Sequence, residues 1–283
     1  MVNSNNHMEK STREFVKSFA KIVMESSTEK GIFYFIGTGL KGSLEALTVE
    51  GLIAIIQSDI IYYDAYTSYQ SEDLVNDLKY ITKKEIISIN RKEVEEQYES
   101  FYKDLQEKSI SFLVTGDPFV ATTHHWLYDW LISKNVNVKV INNVSIIHYI
   151  SSILGLHSYK FGKTTSIPYY NEEYVPESVV KTIQNNLSIN AHTIVLLDLD
   201  KGYFMDPRIA MKKLLNTTIK IGFNMEESKA VFIMRAGMEN EKILFSTAKK
   251  LTEIKECLLP ASIVILAKDL HYTEEESLNK WVL

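Results

Sequence analysis

Residues 110–124 read ISFLVTGDPFVATTH, and this stretch decides the fold class. Ile110 to Thr115 is a short apolar run of strand length, stopped by Gly116-Asp117-Pro118-Phe119. Glycine permits a tight exit from a strand, and proline fixes φ and removes a donor. From about Thr122 to Lys134 the pattern turns helical. Strand, glycine turn and helix make the unit of an open α/β sheet, which binds its ligands beyond the strands' carboxyl ends. Asp117 places a carboxylate at that edge. It suits the ammonium or hydroxyls of a ligand, or an Asx turn that caps the next helix. The residues alone leave both readings open.

The same unit recurs on either side. Upstream, Gly31 to Ile36 is a strand that ends in Gly37-Thr38-Gly39-Leu40-Lys41-Gly42. A helix is expected from the N-cap Thr48 through Gln57, then a strand from Ile60 to Tyr63 ending at Asp64. Glu93 to Lys108 reads as one amphipathic helix with Val94, Tyr98, Phe101 and Leu105 on a stripe. Downstream, Asn137 to Ile141 is a strand that runs into Asn142-Asn143. The alternation predicts a mostly parallel sheet. Gly37 to Gly42 fits G-x-G-x-x-G, with Asp64 at the dinucleotide spacing. An NAD site, however, needs its helix to start inside the glycine turn. Here Ser43 to Leu47 intervene.

Beyond Ile150 the character changes. Ser158 to Ile167 is polar, and a second region follows with helices around Val179–Asn186 and Ile209–Leu215. Strands are expected at Thr193–Leu197, Ala230–Met234, Lys242–Thr247 and Ser262–Leu266. The expected division is an N-terminal extension over 1–30, an α/β domain over 31–160 and a second α/β domain over 161–283. Within the extension, the first six positions are polar and suggest disorder, while Thr12 to Met24 has helical spacing.

The chain has 283 residues, 45% of them hydrophobic, enough for two medium domains. A formal net charge of −5 argues against free nucleic acid as main partner. One cysteine, Cys257, allows no internal disulfide and fits a reducing compartment. There is no apolar run of membrane-spanning length and no signal-peptide core at the polar start. A soluble, cytoplasmic protein is expected. His124 and His125 are adjacent, face different ways on a helix and make a poor metal pair, so no metal is expected.

Several segments, in order, resemble the diphthine synthase family. They are Phe33 to Leu40, Asp64-Ala65-Tyr66-Thr67-Ser68, Gly116 to His124, Asn143-Val144-Ser145-Ile146, Leu156 to Gly162, Ser166-Ile167-Pro168, His192-Thr193, Leu196-Leu197-Asp198, Arg235-Ala236-Gly237 and Leu270-His271. The resemblance runs from about residue 31 to the C-terminus. It implies a tetrapyrrole-methylase-like fold of two α/β domains with a cofactor cleft between them. It implies S-adenosyl-L-methionine as cofactor, contacted by Leu40, Asp117, Val120, Ser145, Ile146, Leu197, Met234 and His271. It also implies elongation factor 2 as protein substrate, with methyl transfer to the amine of an aminocarboxypropyl group on a histidine. A homodimer is expected by analogy with the fold class. No catalytic residue is assigned, because alignment of donor and amine supplies most of such a reaction.

The chain departs from the family in places. Asp64 stands where the family usually has Glu, Val120 where it has Gly, and Met234 where it has a small residue. The loop after Asp198 is short. Rival readings are a related methylase acting on another acceptor, and a binding protein of the same fold that has lost its cofactor. A ligand of the native state raises stability by about 2.7 kcal/mol at a hundredfold excess over Kd. S-adenosylmethionine, or its demethylated product, should therefore raise the melting temperature, and NAD should not. A shift with NAD alone would reverse the reading of the first glycine turn.

Overall fold

The structure is a computed structural model. It describes every residue except 1, 26–28, 68–70, 97, 106, 170–172 and 201–202, and gives only the backbone at 2–10, 100 and 200. Ser68, named above, and residues 201–202 of the loop after Asp198 lie outside the described residues. The chain divides into two compact units, Met1–Ser145 and Ile146–Leu283.

In the first unit the order is α1 (Val2–Met24), β1 (Ile32–Gly37), α2 (Val49–Gln57), β2 (Ile60–Asp64), α3 (Glu72–Thr82), β3 (Ile86–Ile89), α4 (Arg91–Glu95), α5 (Glu99–Asp104), β4 (Ile110–Val114), α6 (His125–Ser133) and β5 (Asn137–Ile141). The five strands form one parallel sheet in the order β3-β2-β4-β1-β5. Alternation along β1 explains how it is covered. Ile32, Tyr34 and Ile36 join a core with α1, α2 and α3. Phe33 and Phe35 join the opposite core with Phe112, Phe101 and the α6 residues Leu127 and Leu131. Thr48 caps α2, its side chain accepting from the Gly51 amide at 3.0 Å.

Three expectations change here. First, residues 2–24 are one helix, with neither proline nor glycine to break it. Val16, Ala20 and Val23 enter the first unit's core, and Arg13 pairs with Asp77 at 3.0 Å. The expected extension is thus part of this unit. Second, the amphipathic stretch after Glu93 is two short helices, α4 and α5, although Val94, Phe101 and Leu105 are buried as the stripe requires. Third, α3 and β3 occupy a stretch to which the sequence reading assigns nothing. β3 is a four-residue edge strand whose middle residues are exposed, so it lacks a clear period.

The second unit runs α7 (Ile146–Leu154), β6 (Thr165–Ile167), α8 (Glu177–Ser188), β7 (Thr193–Leu197), β8 (Leu199–Asp200), β9 (Tyr203–Phe204), α9 (Pro207–Lys220), β10 (Lys229–Met234), β11 (Lys242–Thr247), α10 (Ala248–Leu251), β12 (Ala261–Ile265) and α11 (Tyr272–Leu278). Its main sheet has the order β11-β10-β12-β7-β6. Only β6 and β7 are parallel there; the parallel expectation concerned the first sheet, where it holds. The boundary expected near Phe161 lies instead after Ser145. Ile150 and Leu154 of α7 are buried with Ile194, Val231 and Val264, which ties this helix to the second sheet.

A buried carboxylate fixes one end of the second sheet. Glu274 has no exposed side-chain surface and accepts from Lys160 Nζ at 2.7 Å, the His271 amide at 2.9 Å and the His157 amide at 3.1 Å. His192 Nδ1 accepts from the Ala267 amide at 3.0 Å, so its proton sits on Nε2 and faces Glu274 Oε1 at 3.1 Å. Burial opposes the Glu274 charge, but Lys160, the two amides and His192 outweigh it and hold its pKa down at about 2. Burial lowers His192 below its ordinary value and keeps it neutral. Both folded values are depressed. The stabilisation is therefore present above the unfolded values of 6.5 for His192 and 4.5 for Glu274, and is lost as pH falls below them. Glu274→Gln should cost about 3 kcal/mol at neutral pH, the order of breaking a buried pair. The difference between wild type and variant should shrink as pH falls from 4.5 toward 2. Urea unfolding across that range measures it, and identical curves at neutral pH would refute the role.

Candidate cofactor site

All strands of the first sheet are parallel, so their carboxyl ends share one edge. β1 and β4 are neighbours there, yet their connections leave for opposite faces. β1 leads to α2 on the first core and β4 to α6 on the second. This is a topological switch point, where open α/β sheets take ligands. The two glycine turns meet at it. The Gly39 amide donates to the Gly116 carbonyl at 3.2 Å, and the Gly116 amide returns the bond at 2.9 Å. Both glycines have positive φ, 67° and 75°. A Cβ placed on Gly116 would lie 3.6 Å from Leu40 Cδ2 and 3.6 Å from Ser145 Cα. Leu40, Gly116 and Ser145 are thus in one place. After the first turn comes only a short 3-10 turn, Leu44–Ala46, before α2. No helix amides start inside the glycine turn, as the argument against NAD anticipates.

Asp117 is buried and fully engaged. One oxygen accepts from the Phe119 amide at 3.0 Å, which is the Asx turn. The other accepts from Asn142 Nδ2 at 2.9 Å and the Asn143 amide at 3.4 Å. Asn143 in turn donates to the Gly37 carbonyl at 3.1 Å and the Ala46 carbonyl at 2.9 Å. The loops after β1, β4 and β5 are therefore one hydrogen-bonded edge. Val120 is half-buried in the turn, and Ala121 beside it has φ 59°. That left-handed residue delays α6 to His125, past the expected start at Thr122.

Two family-like segments meet nearby. His124 is wholly buried, and its Nδ1 donates to the Pro118 carbonyl at 3.1 Å. Its Nε2 lies 3.4 Å from Asp64 Oδ2. Burial lowers the His124 pKa, against the pull of Asp64, and Nε2 is buried without a hydrogen-bond partner. Asp64 also accepts from the amides of Tyr66 and Thr67 at 2.9 and 3.0 Å and from the Thr67 hydroxyl. This joint holds the Pro118 turn from below. His125, by contrast, is exposed and pairs with Asp129 at 3.2 Å, so the two histidines are separate.

In the second unit, Met234 pairs with Ala261, and Leu196 with Ser262. Both β10 and β7 run antiparallel to β12, so their carboxyl ends, with Leu197 and Met234, share an edge. Leu197 packs on the main core of this unit, and Ile146, the first residue of α7, packs on the other. The Met234 side chain is wholly buried in that main core, its sulfur accepting from the Leu258 amide at 3.5 Å. His271 does not join this edge. It follows the far end of β12, a strand of five residues and roughly 15 Å. There it is exposed and caps α11 through Thr273 and Glu274. The residue of β12 at the edge with Met234 is Ala261, which the sequence reading did not single out. An alanine carries no chemical signal, and only the strand register finds it. Among the described residues no group of three potential metal ligands comes together.

Asp117→Asn puts an amide nitrogen against donors whichever way it turns, either at Phe119 or at Asn142 and Asn143. A buried donor without a partner costs about 1–3 kcal/mol. Urea unfolding should show that loss, and Asn142→Asp in the same chain should recover part of it. An unchanged midpoint for the single variant would mean that the turn does not need the carboxylate.

Residues 33–252 match the family described as Tetrapyrrole (Corrin/Porphyrin) Methylases. The "Probable diphthine methyl ester synthase" of Arabidopsis thaliana is 32% identical over 272 residues, covering 88% of this chain and 97% of that protein. A diphthine synthase of Methanosarcina mazei is 32% identical over 253 residues, covering 87% and 94%. Among solved structures, a crystal structure of diphthine synthase superposes with a TM-score of 0.80 at 29% identity, covering 89% of this chain and 96% of that one. With the switch-point edge and the collinear segments, these matches identify the chain as a methyltransferase of the diphthine synthase family, within the tetrapyrrole methylases.

Proposed function

We propose that the protein transfers methyl groups from S-adenosyl-L-methionine to the modified histidine of elongation factor 2, in diphthamide biosynthesis. The likeness to diphthine synthases over nearly the whole length supports this. The observation that carries it is local: Asp64 and Tyr66 of one of the segments that set this family apart, and His124 of the other, are buried together beside the Pro118 turn.

The residues suit such a donor. Leu40 and Val120 offer apolar surface beside the buried polar Ser145, the mixture typical of a small-molecule site. Leu40, Asp117, Val120 and Ser145 hold the cofactor in this reading, with Ile146, Leu197 and the Met234 backbone as further contacts. His271 stays a proposed contact on the strength of the resemblance, and Ala261, the strand neighbour of Met234, is added to the set. S-adenosylmethionine supplies an electrophilic methyl group on a sulfonium. The protein's share is alignment and exclusion of water. Asp117 does not act as a base, since both its oxygens already accept hydrogen bonds; it keeps the turn in shape. The acceptor amine reaches its neutral form because desolvation and a nearby cation both lower an amine's pKa. The reading carries with it a cytosolic location and a homodimer, both by analogy.

The test uses the full chain, donor with labelled methyl groups, and elongation factor 2 bearing the aminocarboxypropyl histidine. Label should enter the factor, and the mass increments count the transfers. No incorporation into that acceptor, under conditions where the protein binds the donor, would point to another acceptor.

A further inference from the structure

Arg235 directly follows β10, on the sheet edge that holds Leu197, Met234 and Ala261. Its φ is 54°, in the left-handed region. A long L side chain is disfavoured there, whereas glycine fits without strain. The conformation is nonetheless pinned. The Arg235 amide donates to the Pro260 carbonyl at 2.7 Å, and its carbonyl accepts from the Met238 amide at 3.0 Å. The acid of this turn is engaged elsewhere: Glu241 accepts from the Gly237 amide at 2.7 Å and from the Tyr149 hydroxyl. The guanidinium is left unused. Its Nε is buried without a hydrogen-bond partner, and among the described residues Arg235 forms no ion pair.

Strain in the backbone and an unsatisfied buried donor coincide in one residue, and each asks for an explanation. Guanidinium groups recognise carboxylates through paired, charge-assisted hydrogen bonds. We propose that Arg235 binds the carboxylate of an α-amino acid group, an inference that rests on the methyltransferase reading above. Two molecules in that reaction carry this group: the methionine end of the donor and the aminocarboxypropyl arm of the acceptor.

The experiment compares wild type, Arg235→Lys and Arg235→Gly as full chains. Arg235→Gly should melt at a higher temperature, because glycine relieves the strain. Calorimetry then measures S-adenosylhomocysteine, which has the amino acid group, and methylthioadenosine, which lacks it. If the donor's carboxylate is held, Arg235→Gly weakens S-adenosylhomocysteine at least tenfold, leaves methylthioadenosine unchanged, and Arg235→Lys recovers part of the loss. If the acceptor's is held, both nucleosides bind as in wild type and KM for elongation factor 2 rises at least tenfold while kcat is retained. Unchanged affinities together with an unchanged KM would overturn the inference and leave the reading of function standing. So would a parallel loss of both nucleosides with a lower melting temperature, which marks a merely structural residue. A wild-type chain that binds neither nucleoside would sink the reading of function, and this inference with it.

Discussion

The first unit depends on the pair of hydrogen bonds that Gly39 and Gly116 exchange. Parallel strands end together, but at the switch point their loops must part to opposite faces, which leaves a gap at the edge. The glycine pair carries the β1–β4 pairing past the strand ends before the loops separate. The approach is close enough to exclude side chains. A Cβ on Gly37 would stand 2.5 Å from the Gly116 carbonyl oxygen and 2.9 Å from Asn143 Cβ. Overpacking of that kind costs about 1–3 kcal/mol or moves the backbone. Asn143 and Asp117 then bind the third loop to the first two. The three loops acquire the rigidity of a sheet in this way, which is what the alignment-driven reaction proposed for this edge requires.

The second unit is fastened at the opposite end from its candidate contacts. Glu274 gathers Lys160, His157, His192 and the turn before α11, all at the edge where β7 begins and β12 finishes. Leu197, Met234 and Ala261 lie at the other edge. One end is thus held by charge and hydrogen bonds, and the other carries the strained Arg235 turn. His271 lies at the fastened end. It sits among residues that resemble the family, but its ring serves the helix cap and stacks near His157, with centroids 5.0 Å apart. Proximity in the list of similar segments carried no information about which end of a strand it follows.

Legibility followed burial and glycine. β1 and β4 were readable because apolar runs of five or six residues end in turn residues, β5 because Val138 and Val140 alternate with polar residues before Asn142-Asn143, and α2 because Thr48 caps it. The edge strands β3 and β6 were not readable, since four and three residues are too few to show a period. The domain boundary was misplaced because polarity at Ser158 looked like a linker, while the apolar α7 before it already belonged to the second core. Within the site, Leu40 and Ser145 could be placed from the glycine turns. The engagement of Asp117 with Asn142 could not, since that contact spans 25 residues and depends on sheet order.

The two enlarged residues, Val120 and Met234, bear on how the proposed cofactor is accommodated. A methionine in place of a small residue would be damaging if its side chain stood in the cofactor's position. The Met234 side chain lies in the second unit's main core. Along β10, Ala230, Phe232 and Met234 point to one face and Val231 and Ile233 to the other. The register therefore turns Met234 into the main core, where it meets Cys257 and Leu258. Methionine is unbranched and fills irregular gaps, so the substitution is absorbed by core packing. Only its backbone remains at the edge, and a backbone contact does not depend on the side chain. Val120 is different, being half-buried in the turn itself, next to the left-handed Ala121. Of the two departures, then, Val120 alone adds side-chain volume at the proposed cofactor turn. A single valine in an otherwise family-like edge is a weaker argument for lost binding than the pair had seemed to be.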